Sequence, residues 1–210
     1  MLFGRRIFFV LLLLGLHGCA SNPLFSTHDA NTSSEEIRAV QGQLQQQPQD
    51  IALHRRLIGL YLDKFNQNKS RRVALLLIEQ AEKYLQLNPQ DEPVKLVLYE
   101  FLARDALSQR SEQHLPRLHE LFNDSALLRQ TSYVPPSAVQ AYILLDNRLN
   151  DENKLRLKNA LHTAMRENPN YTKSYRMLSS IYRLERRYTL AIAILHRSEK
   201  INANDPTLYK

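Results

Sequence analysis

The chain has little cysteine, little glycine and no tryptophan. Among its 210 residues, cysteine occurs once and glycine five times. One cysteine cannot form an internal disulfide, so the folded part must be held together by its hydrophobic core. No stretch alternates between apolar and polar residues with a period of two, whereas apolar residues recur every three or four positions. The sequence therefore predicts an all-α fold over residues 34–210.

Patterns typical of catalytic or metal centres are also missing. The chain has no glycine-rich phosphate loop and no serine in a nucleophile elbow. His114 and His119 do not have the spacing of a metal-binding pair on one helix turn. The remaining histidines stand alone, and His54 falls at a position where a repeat would place a large packing residue. We predict that the protein is not an enzyme and that it holds no cofactor and no metal.

The charge is positive but dispersed. The formal net charge is +7, and the chain contains no run of five basic residues. This distribution is typical of solvated helix faces and predicts no nucleic-acid partner. A second interpretation is attraction to acidic partners, either anionic lipid or an acidic protein surface.

The only cysteine, Cys19, follows a segment with the layout of an export signal. Arg5 and Arg6 form a basic head, residues 7–15 are uncharged, and the run is short for a membrane span. Leu16-His17-Gly18-Cys19 resembles the lipobox of Gram-negative lipoproteins. The resemblance implies a signal peptide over residues 1–18, acylation (palmitate) of Cys19, and, because Ala20 follows it, anchoring at the outer membrane facing the periplasm. Residues 19–33 are predicted to be a flexible tether. The alternative is an uncleaved signal anchor.

Prolines divide the rest of the chain into similar segments. Pro48, Pro89, Pro136 and Pro169 are each followed nine residues later by leucine and thirteen residues later by leucine or tyrosine. Residues four apart share a helix face, so the recurrence predicts stacked helical hairpins. Asp50 and Asp91 follow two of these prolines and are predicted helix N-caps. Extra residues are expected near Asn66-Gln67-Asn68-Lys69 and between Arg104 and Thr131, and the stretch from Arg104 to Pro136 is expected to be irregular.

The last segment, residues 169–205, resembles a tetratricopeptide repeat (TPR). Its first helix has an aromatic, a leucine, a small residue and a tyrosine, and its second has a tyrosine and two small residues at the family's spacing. These are Tyr175, Leu178, Ser179, Tyr182, Tyr188, Ala191 and Ser198. The resemblance predicts a TPR-like α-solenoid with divergent N-terminal repeats, and a turn at Glu185-Arg186-Arg187. The alternative is an irregular helical bundle with one true repeat at its end.

The same resemblance implies a partner-binding groove lined by the first helix of each hairpin. The groove-facing positions in the last repeat correspond to Lys173, Arg176, Ser180 and Arg183, and Arg55 occupies a matching place in the first repeat. Three basic residues among these four positions favour an acidic or carboxylate-bearing peptide as ligand. Ordinary solvation is the alternative explanation for the charges.

These observations favour a scaffold that binds an envelope protein and helps assemble or position a pilus, secretion or cell-wall machine. A rival hypothesis is an enzyme, or an enzyme subunit, of cell-wall or exopolysaccharide metabolism. That would need paired carboxylates in a cleft, for which Asp63, Glu100 and Asp146 are the candidates. A transport component would need an apolar cavity, which short stacked hairpins seldom provide.

Overall fold

A computed structural model describes residues 34–130, 133–146 and 150–201. The predicted signal peptide, Cys19 and the predicted tether lie outside these residues. Within them the chain forms ten α-helices and one short 3-10 helix at Glu112–His114. The α-helices are α1 Ser34–Gln46, α2 Ile51–Asn68, α3 Arg71–Leu87, α4 Glu92–Gln109, α5 Leu115–Asp124, α6 Ala126–Gln130, α7 Pro136–Asp146, α8 Asp151–Glu167, α9 Thr172–Leu184 and α10 Tyr188–Ile201.

The helices are organised as hairpins of neighbours in the chain. Helix α2 packs on α3, α7 on α8, and α9 on α10. Helix α8 also packs on α9, so the last two hairpins stack on each other. The predicted fold class, all-α with TPR-like helical hairpins, is confirmed.

The chain divides into two compact units, with the division between Glu100 and Phe101 inside helix α4. In the first unit the core is built from the inward faces of α1 to α3, with Leu57, Leu77 and Tyr84 almost fully buried. Both predicted N-caps are present. Asp50 Oδ1 accepts a hydrogen bond from the Leu53 backbone amide at 3.0 Å. Asp91 Oδ1 accepts one from the Val94 backbone amide at 3.1 Å.

In the second unit one apolar cluster joins α7, α8, α9 and α10. Three residues that the repeat pattern singled out belong to it: Tyr175 and Leu178 are fully buried, and Ala191 is 2% exposed. The prediction that Tyr188 is a core residue is wrong, because its side chain is 60% exposed at the start of α10. The small side chain of Ala191 allows α10 to approach its neighbours closely, because a larger group would need space that close-packed helices do not leave. The predicted turn also forms. Arg186 has a left-handed backbone with φ 59°, and the Arg187 amide donates to the Tyr182 carbonyl at 2.8 Å.

The expectation of an irregular stretch between Arg104 and Pro136 is wrong. Helix α4 continues to Gln109, and the 3-10 helix, α5 and α6 follow. Helix α5 buries Leu115, Leu118, Leu121 and Phe122 at spacings of three and four residues. This is the apolar stripe of an amphipathic helix, and it is visible in the sequence. The expectation missed this helix because the segment does not follow the repeat spacing.

The helices over the described residues are too short or too polar for any of them to cross a membrane.

Candidate partner-binding face

Helix α9 presents two chemically different faces. One face buries Ser174, Tyr175, Leu178 and Tyr182 against the neighbouring helices. The predicted groove residues Lys173, Arg176, Ser180 and Arg183 recur at spacings of three, four and three on the same helix and form a second stripe. We call these four residues the basic stripe. The sequence prediction that they share one helix face is consistent with the helix bounds, whereas their role in binding stays a prediction.

Exposure varies along the basic stripe. Lys173 and Arg176 are half-buried, whereas Ser180 and Arg183 are exposed. The two cations at the start of the helix, Lys173 and Arg176, are therefore partly withdrawn from water, whereas the cation of Arg183 near its end is open to it. A half-buried cation interacts more strongly with an anion than an exposed one, because solvent screens the pair less.

Lys173 is the residue most affected by its surroundings. Burial lowers the pKa of its ammonium, and the positive charge of Arg176 lowers it further. Among the residues that the structure describes, Lys173 has no carboxylate partner. A bound anion would offset both unfavourable effects, so this end of the stripe is electrostatically suited to a carboxylate.

Two tyrosines lie beside the stripe, and sequence reasoning did not place them there. The hydroxyls of Tyr142, on α7, and Tyr171, just before α9, are 3.2 Å apart and form a hydrogen bond. Burial raises the pKa of Tyr142, while its bond to Tyr171 and the nearby charge of Arg176 oppose that rise. The hydroxyl pair therefore adds hydrogen-bonding groups beside the cations. Tyr142 stands six residues after Pro136, as Tyr175 does after Pro169, and this spacing indicates a packed position on the helix without revealing the contact with Tyr171.

Arg55, the fifth predicted groove residue, lies in the first unit and already has a partner. Its Nη1 donates to Asp91 Oδ2 at 2.8 Å, and the Tyr84 hydroxyl donates to the same oxygen at 2.5 Å. The Asp91 side chain is 5% exposed and that of Arg55 is 40% exposed. The guanidinium thus compensates a buried carboxylate. A further role in partner binding stays a prediction.

His54 is buried, as expected for a packing residue. Its Nε2 lies 2.9 Å from the Pro48 carbonyl oxygen, and its Nδ1 contacts the side-chain amide of Gln80. Both ring nitrogens therefore have partners within the first unit. This placement agrees with a structural histidine.

One group of side chains contains the residue types of a hydrolase but not their order. Glu167 accepts the Ser137 hydroxyl at 2.8 Å and the Ser137 amide at 3.1 Å, and its Oε1 lies 3.3 Å from His119 Nδ1. The carboxylate lies between serine and histidine, whereas a nucleophilic serine needs the histidine as its direct base. The group instead secures the first turn of α7. Burial raises the pKa of Glu167, but the bonds from His119 and Ser137 outweigh it and lower the pKa overall.

The carboxylates proposed for the rival enzyme hypothesis are not assembled into an identified pair. Asp63 and Glu100 are half-buried on α2 and α4, and the side chain of Asp146 lies outside the described residues. Within the described ranges no three His, Cys, Asp or Glu side chains cluster closely enough to hold a metal ion.

The hairpins and the stripe define a class: an all-helical protein of TPR-like hairpins with a basic helix face. No protein-family model matches the chain, and no curated protein matches it either. One similar solved structure is described as the crystal structure of MamA protein. The similarity covers 80% of this chain and 81% of that chain, with 12% sequence identity and a TM-score of 0.46. Similarity at this level indicates nothing about function.

Proposed function

We propose that the protein is a lipid-anchored scaffold of the Gram-negative envelope. In this proposal Cys19 carries the lipid, and the folded part faces the periplasm from the outer membrane. The basic stripe receives an acidic or carboxylate-bearing segment of another envelope protein. The protein has no chemistry of its own and helps to assemble or position a larger envelope machine.

The observation that carries the binding proposal is the environment of Lys173. A half-buried ammonium beside a second cation, with no carboxylate partner in the described chain, is electrostatically unfavourable. Charge-assisted hydrogen bonds from a carboxylate are about twice as strong as neutral ones, so an acidic ligand would relieve the repulsion. TPR-like hairpins supply the rigid helix that such recognition needs.

The anchoring proposal depends on the lipobox-like sequence that ends at Cys19. One acyl chain gives only marginal membrane binding, whereas several chains anchor a protein stably, at roughly 0.8 kcal/mol for each buried methylene. Cys19→Ala removes the acceptor thiol and little else. The variant should lose metabolically incorporated palmitate and either leave the membrane fraction or accumulate as an unprocessed precursor. A variant that is cut normally and stays in the membranes would contradict the proposal.

The binding proposal can be tested by charge reversal. The chain carrying Lys173→Glu and Arg183→Glu should capture much less of its partner from envelope extracts than the unchanged protein. Arg38→Glu with Arg72→Glu is the matched control, because both residues are exposed, both lie in the first unit, and the net charge changes equally. The control should capture the partner normally. Capture by the unchanged protein should also weaken as salt is raised, because contacts between exposed charges are screened.

Equal losses in the two double variants would mean that net charge alone matters and that the stripe is not a specific site. Unchanged capture by the Lys173 and Arg183 variant would place the binding surface elsewhere. Circular dichroism of both variants is needed to show that helix content is retained. An envelope enzyme that is recovered with the unchanged protein would identify the machine without making this chain the catalyst.

A further inference from the structure

The basic stripe has two cationic ends that are well separated along α9. Lys173 and Arg183 are ten residues apart, which corresponds to about 15 Å along the axis of an α-helix. Side chains of one helix all lean towards its N-terminus, so the distance between two charged ends follows the distance between their Cα atoms. Arg176 stands nearer to Lys173, and its charge acts on the Lys173 ammonium. One carboxylate is too small to span the two ends.

Between its two ends the stripe is small and polar. Ser180 is exposed, and it is the only uncharged residue among the four. Its short side chain leaves room for the main chain of a ligand to approach α9, and its hydroxyl can donate to or accept from a peptide group. The stripe contains no apolar side chain. A ligand therefore binds it through charged groups and main-chain hydrogen bonds rather than through apolar contact.

This composition favours an extended ligand over a helical one. Helices pack through interdigitating side chains around an apolar face, and the stripe offers no such face. A helical ligand would also need acidic residues about ten positions apart to match a distance of about 15 Å.

In an extended segment, four residues span about 13 Å, whereas two residues span about 7 Å and six span about 20 Å. Residues four apart also project from the same side of an extended backbone, whereas residues an odd number apart project from opposite sides. Of the extended spacings, four therefore matches the separation between Lys173 and Arg183 best.

We propose that the basic stripe binds an extended segment with two acidic residues four positions apart. One carboxylate lies at the Lys173 end, the other lies at Arg183, and the ligand backbone passes Ser180. This inference rests on the proposed function of the stripe, to which it adds the conformation of the ligand and the spacing of its charges.

The two ends contribute differently to binding. Lys173 is half-buried and is repelled by Arg176, so a carboxylate there relieves the repulsion and is screened less by water. Arg183 is exposed, so its attraction to a carboxylate is weaker. The Lys173 end therefore sets the affinity for acidic segments in general, and Arg183 sets the preference for one spacing.

The experiment uses the full chain in an uncharged detergent and a set of short fluorescent peptides. Each peptide has two glutamates in a glycine- and serine-rich background, and all have the same length and net charge. The glutamates are one, two, four or eight positions apart. Fluorescence anisotropy at low salt should show the tightest binding at a spacing of four, by about fivefold over a spacing of one. Two further probes are a peptide with glutamines in place of both glutamates and a helix-forming, alanine-rich peptide with glutamates eleven positions apart.

Single neutral substitutions then assign the two ends. Arg183→Gln should abolish the advantage of the spacing of four, because the second carboxylate then meets no cation. Lys173→Gln should weaken the binding of every acidic peptide. Arg38→Gln is the matched control, since Arg38 is exposed on α1 and the net charge changes equally, and it should leave both the affinities and their order unchanged.

The outcomes separate this inference from the function on which it rests. Equal binding at every spacing, with binding lost in the Lys173→Gln variant, overturns the inference and leaves the proposed function standing. Tightest binding by the helix-forming peptide overturns the extended conformation, and an advantage of the spacing of four that survives Arg183→Gln overturns the assignment of the second carboxylate. If no glutamate peptide binds better than the glutamine peptide, both the inference and the proposed binding function are wrong.

Discussion

Asp91 offers the sharpest test of the physical reasoning, because Asp50 provides a natural control. Each carboxylate caps a helix by accepting a hydrogen bond from the backbone amide three residues later. The distance is 3.0 Å for Asp50 and 3.1 Å for Asp91. Only Asp91 also accepts the hydroxyl of Tyr84 and the guanidinium of Arg55. Replacing each aspartate by alanine therefore removes the same cap, and the difference between the two variants reports the additional network.

The magnitudes follow from the burial of each partner. Loss of an N-cap costs about 1 kcal/mol, which is the expected total for Asp50→Ala. At Asp91 the Tyr84 hydroxyl loses its acceptor, and a buried donor left unsatisfied costs about 1–3 kcal/mol. The bond to Arg55 adds less than about 1 kcal/mol, because the arginine side chain is 40% exposed and solvent screens it. We expect Asp91→Ala to lower the free energy of unfolding by about 3 kcal/mol.

Urea titrations followed by helical circular dichroism measure both variants. A third protein, with Tyr84→Phe added to Asp91→Ala, removes the orphaned hydroxyl and should recover about 1 kcal/mol of the loss. Equal destabilisation by Asp50→Ala and Asp91→Ala would show that the Tyr84 and Arg55 contacts contribute nothing beyond the cap. If adding Tyr84→Phe to Asp91→Ala recovers no stability, the orphaned Tyr84 hydroxyl is not the source of the loss.

Three further predictions concern the second unit. Ala191→Glu should lower the free energy of unfolding by about 3 kcal/mol, because Ala191 is 2% exposed and a charge there is desolvated, and an unchanged melting midpoint would argue against the hairpin packing. Arg186→Gly should raise the melting temperature by about 2 °C, because glycine removes the steric cost of the left-handed backbone, whereas Arg183→Gly inside α9 should lower it. The pKa of Glu167 is lowered in the folded protein, so folding favours its ionised form. Its contribution to stability is therefore complete above the ordinary glutamate pKa of 4.5 and is lost as pH falls through the lower pKa of the folded state. Ser137→Ala should therefore reduce the acid-dependent loss of stability in pH-dependent melts, and identical acid profiles would contradict the assignment.

The local features of the protein could be predicted from its sequence. Helical periodicity, the caps at Asp50 and Asp91, and the turn at Glu185-Arg186-Arg187 were all predicted and are all present. Each depends on residues within a few positions of one another, so the information is contained in a short stretch of chain. The packing roles of Tyr175 and Ala191 were also predictable, because a repeat places the same contacts at fixed spacing.

The helices between Arg104 and Pro136 mark the limit of that approach. Their apolar stripe was readable in α5, but the segment does not follow the repeat spacing, and an expectation based on the repeat assigned it no structure. Local periodicity would have been the better guide there, because a helix needs only one apolar face and a neighbour to cover it.

Which charged side chains form ion pairs depends on the tertiary structure. Arg55 matched a groove position in the sequence, yet it binds Asp91, 36 residues away, and spacing within one helix cannot reveal such a pairing. The closeness of Arg176 to Tyr142 and the exposure of Tyr188 and Ile192 likewise depend on which helix packs against which. Burial and long-range pairing are properties of the assembled chain, because they are set by neighbours that the local sequence does not specify.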